Sequence, residues 1–219
     1  MLSFNHVQYG YTKQLIFKDL TFHLAQGEFV FVIGKSGAGK STLMQMVYMN
    51  ILPDSGSVDF DKFSSSTIKP KLLPKLRRKL GIVFQDFKLL TDRNIYANLS
   101  FILEAIGTPK KVIKQKINDV LTDVGLSHRR YSMPNELSGG EQQRVAIARA
   151  MVKEPILILA DEPTGNLDPE TSEEILELIK KIHNRGTSVL ITTHDYELVK
   201  KTDAKIIRLE NGVATDSKI

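Results

Sequence analysis

The chain has 219 residues, 42% hydrophobic and 25% charged, with no cysteine, so disulfides and thiolate metal sites are excluded. No apolar run approaches the ~20 residues a membrane-spanning helix needs, and the length suffices to bury a core as one domain, 1–219. A net charge of +5 permits nucleic acid or an anionic membrane surface as a partner, and equally suits a solvated basic surface.

The first residues, Met1 to His6, lack the basic-then-apolar profile of a signal peptide, and a cytosolic chain is the expectation. Residues 2–32 read as strands: Leu20, Phe22 and Leu24 alternate with Thr21 and His23, and Gln26-Gly27 supplies a turn. Tyr9 and Tyr11 fall in a polar loop, where an aromatic ring either stacks on a nucleotide base or is an ordinary strand-end tyrosine.

The apolar run Phe29–Ile33 leads into Gly34-Lys35-Ser36-Gly37-Ala38-Gly39-Lys40-Ser41-Thr42, after which Leu43, Met46 and Val47 recur at helical spacing. Strand, glycine loop and helix in that order form a phosphate-binding arrangement. The glycines let successive backbone N–H groups turn inward around a phosphate, and the helix N-terminus adds its positive dipole end. Lys40 suits the β- and γ-phosphates of a nucleoside triphosphate, and the Ser41 hydroxyl suits Mg²⁺.

Asp54-Ser55-Gly56 marks a turn, Ser57–Phe60 a strand and Ser64–Thr67 a loop. The basic cluster Lys69, Lys71, Lys75, Arg77, Arg78 and Lys79 has no interleaved aromatics, so base stacking is not suggested and nucleic acid is not expected. Gly81–Phe84 is a further strand ending at Gln85-Asp86, where the glutamine is either a metal or water sensor or a surface residue.

Ile95, Leu99, Ile102, Leu103 and Ile106 then mark one face of a helix, with Asp92 as its expected N-cap and Gly107 as its stop. Ile113, Ile117, Val120, Leu121 and Val124 mark a second, and residues from about 88 to 152 read as a helical insertion. Within it, Ser138 and Glu141 form a capping-box pair around a helix starting at Gly139. The pair Gly139-Gly140 is costly in a helix and leaves N–H groups open to an anion, which favours a phosphate contact.

Ile156–Ala160 reads as a strand buried on both faces, and Asp161-Glu162 at its tip sit where α/β folds place ligands. Asp161 suits the Mg²⁺ shell; Glu162 suits a water-orienting base. Asp168-Pro169 starts a helix with Ile175, Leu178, Ile179 and Ile182 on its buried face. Ser188–Thr193 is another buried strand; His194 just beyond it is either a hydrogen-bond donor to a γ-phosphate or, as is commoner for a lone histidine, an ordinary loop residue, and residues 206–213 form a hairpin.

With these motifs in order, the sequence resembles the ATPase subunit of ATP-binding cassette (ABC) systems over nearly its whole length. The resemblance rests on the loop at 34–42, Gln85, Leu137-Ser138-Gly139-Gly140-Glu141, Asp161-Glu162, Asp168 and His194. It implies an α/β fold: a RecA-like P-loop NTPase core with a mixed, largely parallel sheet, an N-terminal antiparallel β subdomain and an inserted helical subdomain. It also implies ATP and Mg²⁺ as cofactors, with Ser41, Gln85 and Asp161 toward the metal. Tyr11 would stack on the base, and two ATPs would lie between the subunits of a homodimer. There Ser138, Gly139 and Gly140 of one copy would meet the phosphate loop of the other, and Asp168 would cross the interface.

Residues 83–93 and 160–171 are similar to the cell-division branch of the family, although Thr91 stands where that branch has proline. That branch works with an FtsX-like integral membrane partner, and with other division proteins, to switch cell-wall hydrolysis. The ATPase would then be peripheral, at the cytoplasmic face of the cell membrane. The alternative within the family is a lipoprotein-release or macrolide exporter, and outside transport a nucleic-acid-associated ABC protein.

Overall fold

The structure is a computed structural model and describes residues 1–12 and 14–217. Among them the strands are β1 (Leu2–Tyr11), β2 (Gln14–Leu24), β3 (Phe29–Ile33), β4 (Ser55–Phe60), β5 (Phe63–Ser64), β6 (Leu80–Val83), β7 (Leu157–Asp161), β8 (Ser188–Thr193), β9 (Lys205–Glu210) and β10 (Val213–Ser217). The helices are α1 (Lys40–Val47), α2 (Leu73–Arg78), α3 (Ile95–Ala105), α4 (Lys110–Asp123), α5 (Gly139–Met151), α6 (Pro169–His183) and α7 (Tyr196–Lys200). No helix of the described residues is long and apolar enough to cross a membrane. The chain forms two compact units, one of Met1–Arg77 with the chain from Gly186 onward, the other of Arg78–Arg185.

In the first unit the strand order is β5-β4-β1-β2-β10-β9-β3-β8. The β5-β4-β1-β2 edge is antiparallel, whereas β9, β3 and β8 run parallel. The two kinds of pairing follow two kinds of sequence. In β2, buried Phe17, Leu20, Phe22 and Leu24 alternate with exposed neighbours, as suits a sheet with one wet face. In β8 every residue is buried, and in β3 Val30 to Ile33 are all buried, as covered parallel strands require. Phe4 of β1 stacks on Phe22 of β2 with ring centres 4.7 Å apart. Tyr9 and Tyr11, expected in a loop, belong to β1, and their rings meet edge to face at 5.0 Å.

Part of the basic cluster has a structural use in this unit. Arg77 donates Nε to Tyr48 O at 3.1 Å and Nη2 to Met49 O, closing the end of α1 where Met49 turns to a φ of 51°.

In the second unit β6 and β7 pair in parallel, Leu80 opposite Leu157 and Val83 opposite Ala160. Helices α3, α4 and α5 fall between these strands in sequence and pack on one another. Ile95, Leu99 and Leu103 form the buried stripe of α3, and Ile113, Ile117, Val120 and Leu121 that of α4. The N-cap of α3 is Asn94 rather than Asp92: helical geometry begins at Ile95, so the N3 amide is Ala97 N, which Asn94 Oδ1 accepts at 2.8 Å. Asp92 instead pairs with Arg93 at 2.8 Å on the surface.

Candidate active site

In the first unit, β3 and β8 run side by side with Ile33 opposite Thr193. The glycine loop and His194 therefore leave the sheet at the same edge, the carboxyl ends of parallel strands, where α/β folds bind ligands. Gly37 and Gly39 have φ of 79° and 99°, conformations that a side chain resists. Gly39 has a second constraint, since a Cβ there would lie 2.7 Å from Ile16 Cγ2 and 2.8 Å from Phe17 Cε1. Gly34 has no room either: its Cβ would lie 2.8 Å from Leu209 O. Beside the loop is a cavity of about 300 Å³ between Gly34–Ala38 and the residues around the β9–β10 turn.

Lys40 is only 6% exposed, and its Nζ lies inside its own loop, donating to Gly34 O at 2.9 Å and Lys35 O at 3.3 Å. Helix α1 starts here with Gly39 as N-cap, no side chain capping it and no acid in its first turn. A helix N-terminus left in this condition, under a buried ammonium, fits a phosphate group. Ser41 is exposed on the first turn, and Tyr11 is 46% exposed in β1.

In the second unit, the pairing of Val83 with Ala160 carries Gln85 and Glu162 out of adjacent strand ends together. Asn166, in the turn that Gly165 N closes onto Glu162 O at 3.1 Å, binds Gln85: its Nδ2 donates to Gln85 O at 3.1 Å, while Gln85 Nε2 reaches Asn166 Oδ1 at 3.4 Å. Gly165 lies against Gln85 as well: a Cβ there would lie 2.9 Å from Nε2, the mobile end of the glutamine side chain. Glu162 itself holds a φ of 44°, rare for a residue with a side chain. Such strain costs on the order of 1–3 kcal/mol and persists only where the surroundings enforce it.

The capping box at the start of α5 is complete. Glu141 N donates to Ser138 Oγ at 3.2 Å, and Ser138 N donates to Glu141 Oε2 at 2.9 Å. That amide bond, helped by Arg129 at 3.1 Å, holds the Glu141 carboxyl below its ordinary pKa against a smaller opposing effect of burial. Ser138 and Gly139 are exposed. Gly140 has a packing reason that the sequence did not suggest, because a Cβ there would lie 2.6 Å from Thr171 Cγ2. Thr171 is fixed by Asp168, which caps α6 by accepting from Thr171 N at 2.9 Å and from Thr171 Oγ1 at 2.6 Å. Those two bonds hold the Asp168 carboxyl below the usual carboxylate range.

Residues 17–165 match the family model described as ABC transporter. The chain belongs to the ATP-binding cassette family. Cassette proteins close to it include the cell division ATP-binding protein FtsE of Mycobacterium tuberculosis, 45% identical over 214 residues, 97% of this chain and 93% of that protein. FtsE of Bacillus subtilis is 48% identical over 195 residues, 89% of this chain and 85% of that protein. Among solved structures, the ATP-binding cassette MJ0796, a dimer in a post-hydrolysis state bound to ADP and Pi, superposes with a TM-score of 0.86. It is 32% identical, and the match covers 100% of this chain and 98% of that one. The cassette is thus a nucleotide-binding ATPase with the α/β fold its motifs implied.

Within the first unit the cassette brings the loop at 34–42 and His194 to one edge; within the second it brings Gln85 and Glu162 to another. Three residues escaped the sequence reading. Asn166 lay inside a motif without a role. Gln143 and Arg149 lay in α5, where the only available signal was a polar residue recurring on the face of Ala146, Ile147 and Ala150.

Proposed function

We propose that the chain is the ATP-hydrolysing subunit of a complex acting in bacterial cell division, held at the cytoplasmic face of the cell membrane by an FtsX-like integral membrane partner. The observation that carries this reading is identity of 45% and 48%, over most of the chain, to proteins named for ATP binding in cell division. In this reading the working unit is a homodimer around two ATPs, as the dimeric state of the solved cassette supports. Ser138, Gly139 and Gly140 of one copy meet the phosphates held by residues 34–42 of the other, and Asp168 crosses the interface while capping its own helix. The segment 88–152 receives a cytoplasmic helix of the partner.

The roles follow from each residue's chemistry. Lys40 and the amides of residues 34–42 hold the phosphates, Tyr11 lies against the base, and His194 donates to the γ-phosphate. Glu162 orients the attacking water by accepting its hydrogen. Ser41, Gln85 and Asp161 are the residues assigned to Mg²⁺, which when bound neutralises charge on the phosphate oxygens.

The test is expression of Glu162→Gln beside the wild-type chain in its own cell, with capture of tagged protein from solubilised membranes. Filamentous, undivided cells and co-purification of one integral membrane protein are expected. Normal division with a lipoprotein or drug-export defect would replace the division reading by the exporter reading.

A further inference from the structure

Helix α5 does more than present its capped end. Gln143 is wholly buried, and its Nε2 donates to Pro163 O at 2.6 Å, while its Oε1 has no hydrogen-bond partner. Pro163 directly follows Glu162, the residue held at a φ of 44°. Six residues further along, about 9 Å at the helical rise, Arg149 donates Nη2 to Phe87 O at 2.7 Å and Nη1 to Lys88 O. Phe87 and Lys88 have φ of 55° and 48°, two successive left-handed residues with side chains, just after Gln85-Asp86. One helix thus grips the turns that follow both strand ends of its unit, the first grip on the residue next to a strained one and the second on two strained residues themselves.

The chemistry of the second grip is specific. Two carbonyls on consecutive residues are bridged by the rigid planar fork of one guanidinium, two separate nitrogens whose spacing and reach the single nitrogen of a lysine ammonium does not match. The Arg149 side chain is half-buried, and that burial lowers its pKa, with the nearby Asp86 charge opposing. The two carbonyls that face the guanidinium compensate that partial loss of water.

We propose that α5 is a brace that sets the Gln85 turn and the Glu162 turn as one body with the capped end at Ser138, and that Arg149 is a positioning residue acting through Gln85. A displacement of the Ser138 end then moves both turns together. The inference rests on the reading above, in which Gln85 and Glu162 serve ATP hydrolysis.

The experiment is a double-mutant cycle on the full chain: wild type, Arg149→Lys, Gln85→Ala and the double variant, each measured for kcat, KM for ATP and hydrogen exchange without nucleotide. R149K is expected to slow kcat roughly tenfold to a hundredfold, the scale of an ångström-sized misplacement, with KM for ATP within about twofold. Exchange in residues 84–92 should accelerate in R149K while the rest of the chain keeps its protection. The double variant should be no slower than Q85A, because the two residues act in series. Lys88→Gly, which adopts a left-handed φ without strain, should restore part of the R149K loss, and K88G/R149K replaces R149K in the cycle if the single variant does not fold.

Wild-type turnover in R149K, or losses that simply multiply in the double variant, would overturn the proposal. So would a fall in ATP affinity matching the fall in kcat, which marks general loosening. If Q85A itself turns over like wild type, the assignment of Gln85 fails and the brace fails with it; if Q85A is slow and R149K is not, the brace alone fails.

Discussion

Gly140 admits two explanations, close approach to a phosphate and close approach to Thr171, and one substitution separates them. In Gly140→Ala the new methyl would lie 2.6 Å from Thr171 Cγ2, about an ångström inside ordinary carbon–carbon contact. Thr171 cannot simply rotate away, because its hydroxyl and its amide are both bound to Asp168. Overpacking of this kind costs about 1–3 kcal/mol, and replacing glycine by alanine in a helix returns up to about 1 kcal/mol, leaving a net loss near 1 kcal/mol. For a chain of this size that lowers Tm by about 2–4 °C. Thr171→Ser removes the methyl and keeps the hydroxyl for Asp168, so G140A in that background should cost nothing or stabilise. Thermal unfolding of the four proteins without nucleotide reads this directly, and equal Tm losses in both backgrounds would refute the packing argument. ATPase assays on G140A/T171S then isolate the phosphate role: restored stability with turnover still lost is the expected outcome.

Glu162→Gln should retain ATP binding and accumulate an ATP-bound dimer on size-exclusion chromatography, since only the water-orienting carboxylate is removed; wild-type turnover would show that Glu162 is not the base. Lys40→Ala should weaken ATP binding and abolish hydrolysis, which equilibrium binding of a fluorescent ATP analogue checks; unchanged affinity would contradict a phosphate contact for a lysine this buried. Glu141 has a folded pKa below its ordinary value of about 4.5, so its contribution to stability is present above that pH and is lost as the pH falls through the lower folded value. Denaturation of wild type and Glu141→Gln should therefore differ above about pH 5 and converge in more acidic solution; a difference that persists at low pH would show that the carboxylate's charge is not what the cap uses.

Much of this protein is local chemistry and was legible along the chain. The covered strands announce themselves as unbroken apolar runs, because a parallel strand has no wet face on which to place polar residues. The glycine loop, the capping box at Ser138 and Glu141, and the Asp168-Pro169 helix start are each complete within a few residues, so their hydrogen bonds could be anticipated from spacing alone. The misplacement of the α3 cap by two residues, from Asn94 to Asp92, arose because both side chains can cap and only the backbone decides where helical geometry begins.

What the fold alone decided depends on partners distant in sequence. Arg149 finds Phe87 O across 62 positions and Gln143 finds Pro163 O across 20, and the helical pattern of α5 names neither carbonyl, even where it sets a polar Gln143 on an apolar face. The packing reason for a glycine at 140 is likewise a neighbour in space, Thr171. The left-handed backbone of Glu162 is a third case: no residue type requires it, and only packing from another element can hold a side-chain-bearing residue there. Sequence by itself determined the family, the elements and the chemical groups, since those rest on short-range periodicity and composition. The tertiary structure decided how those groups are braced, since strain and burial exist only where distant segments are forced together.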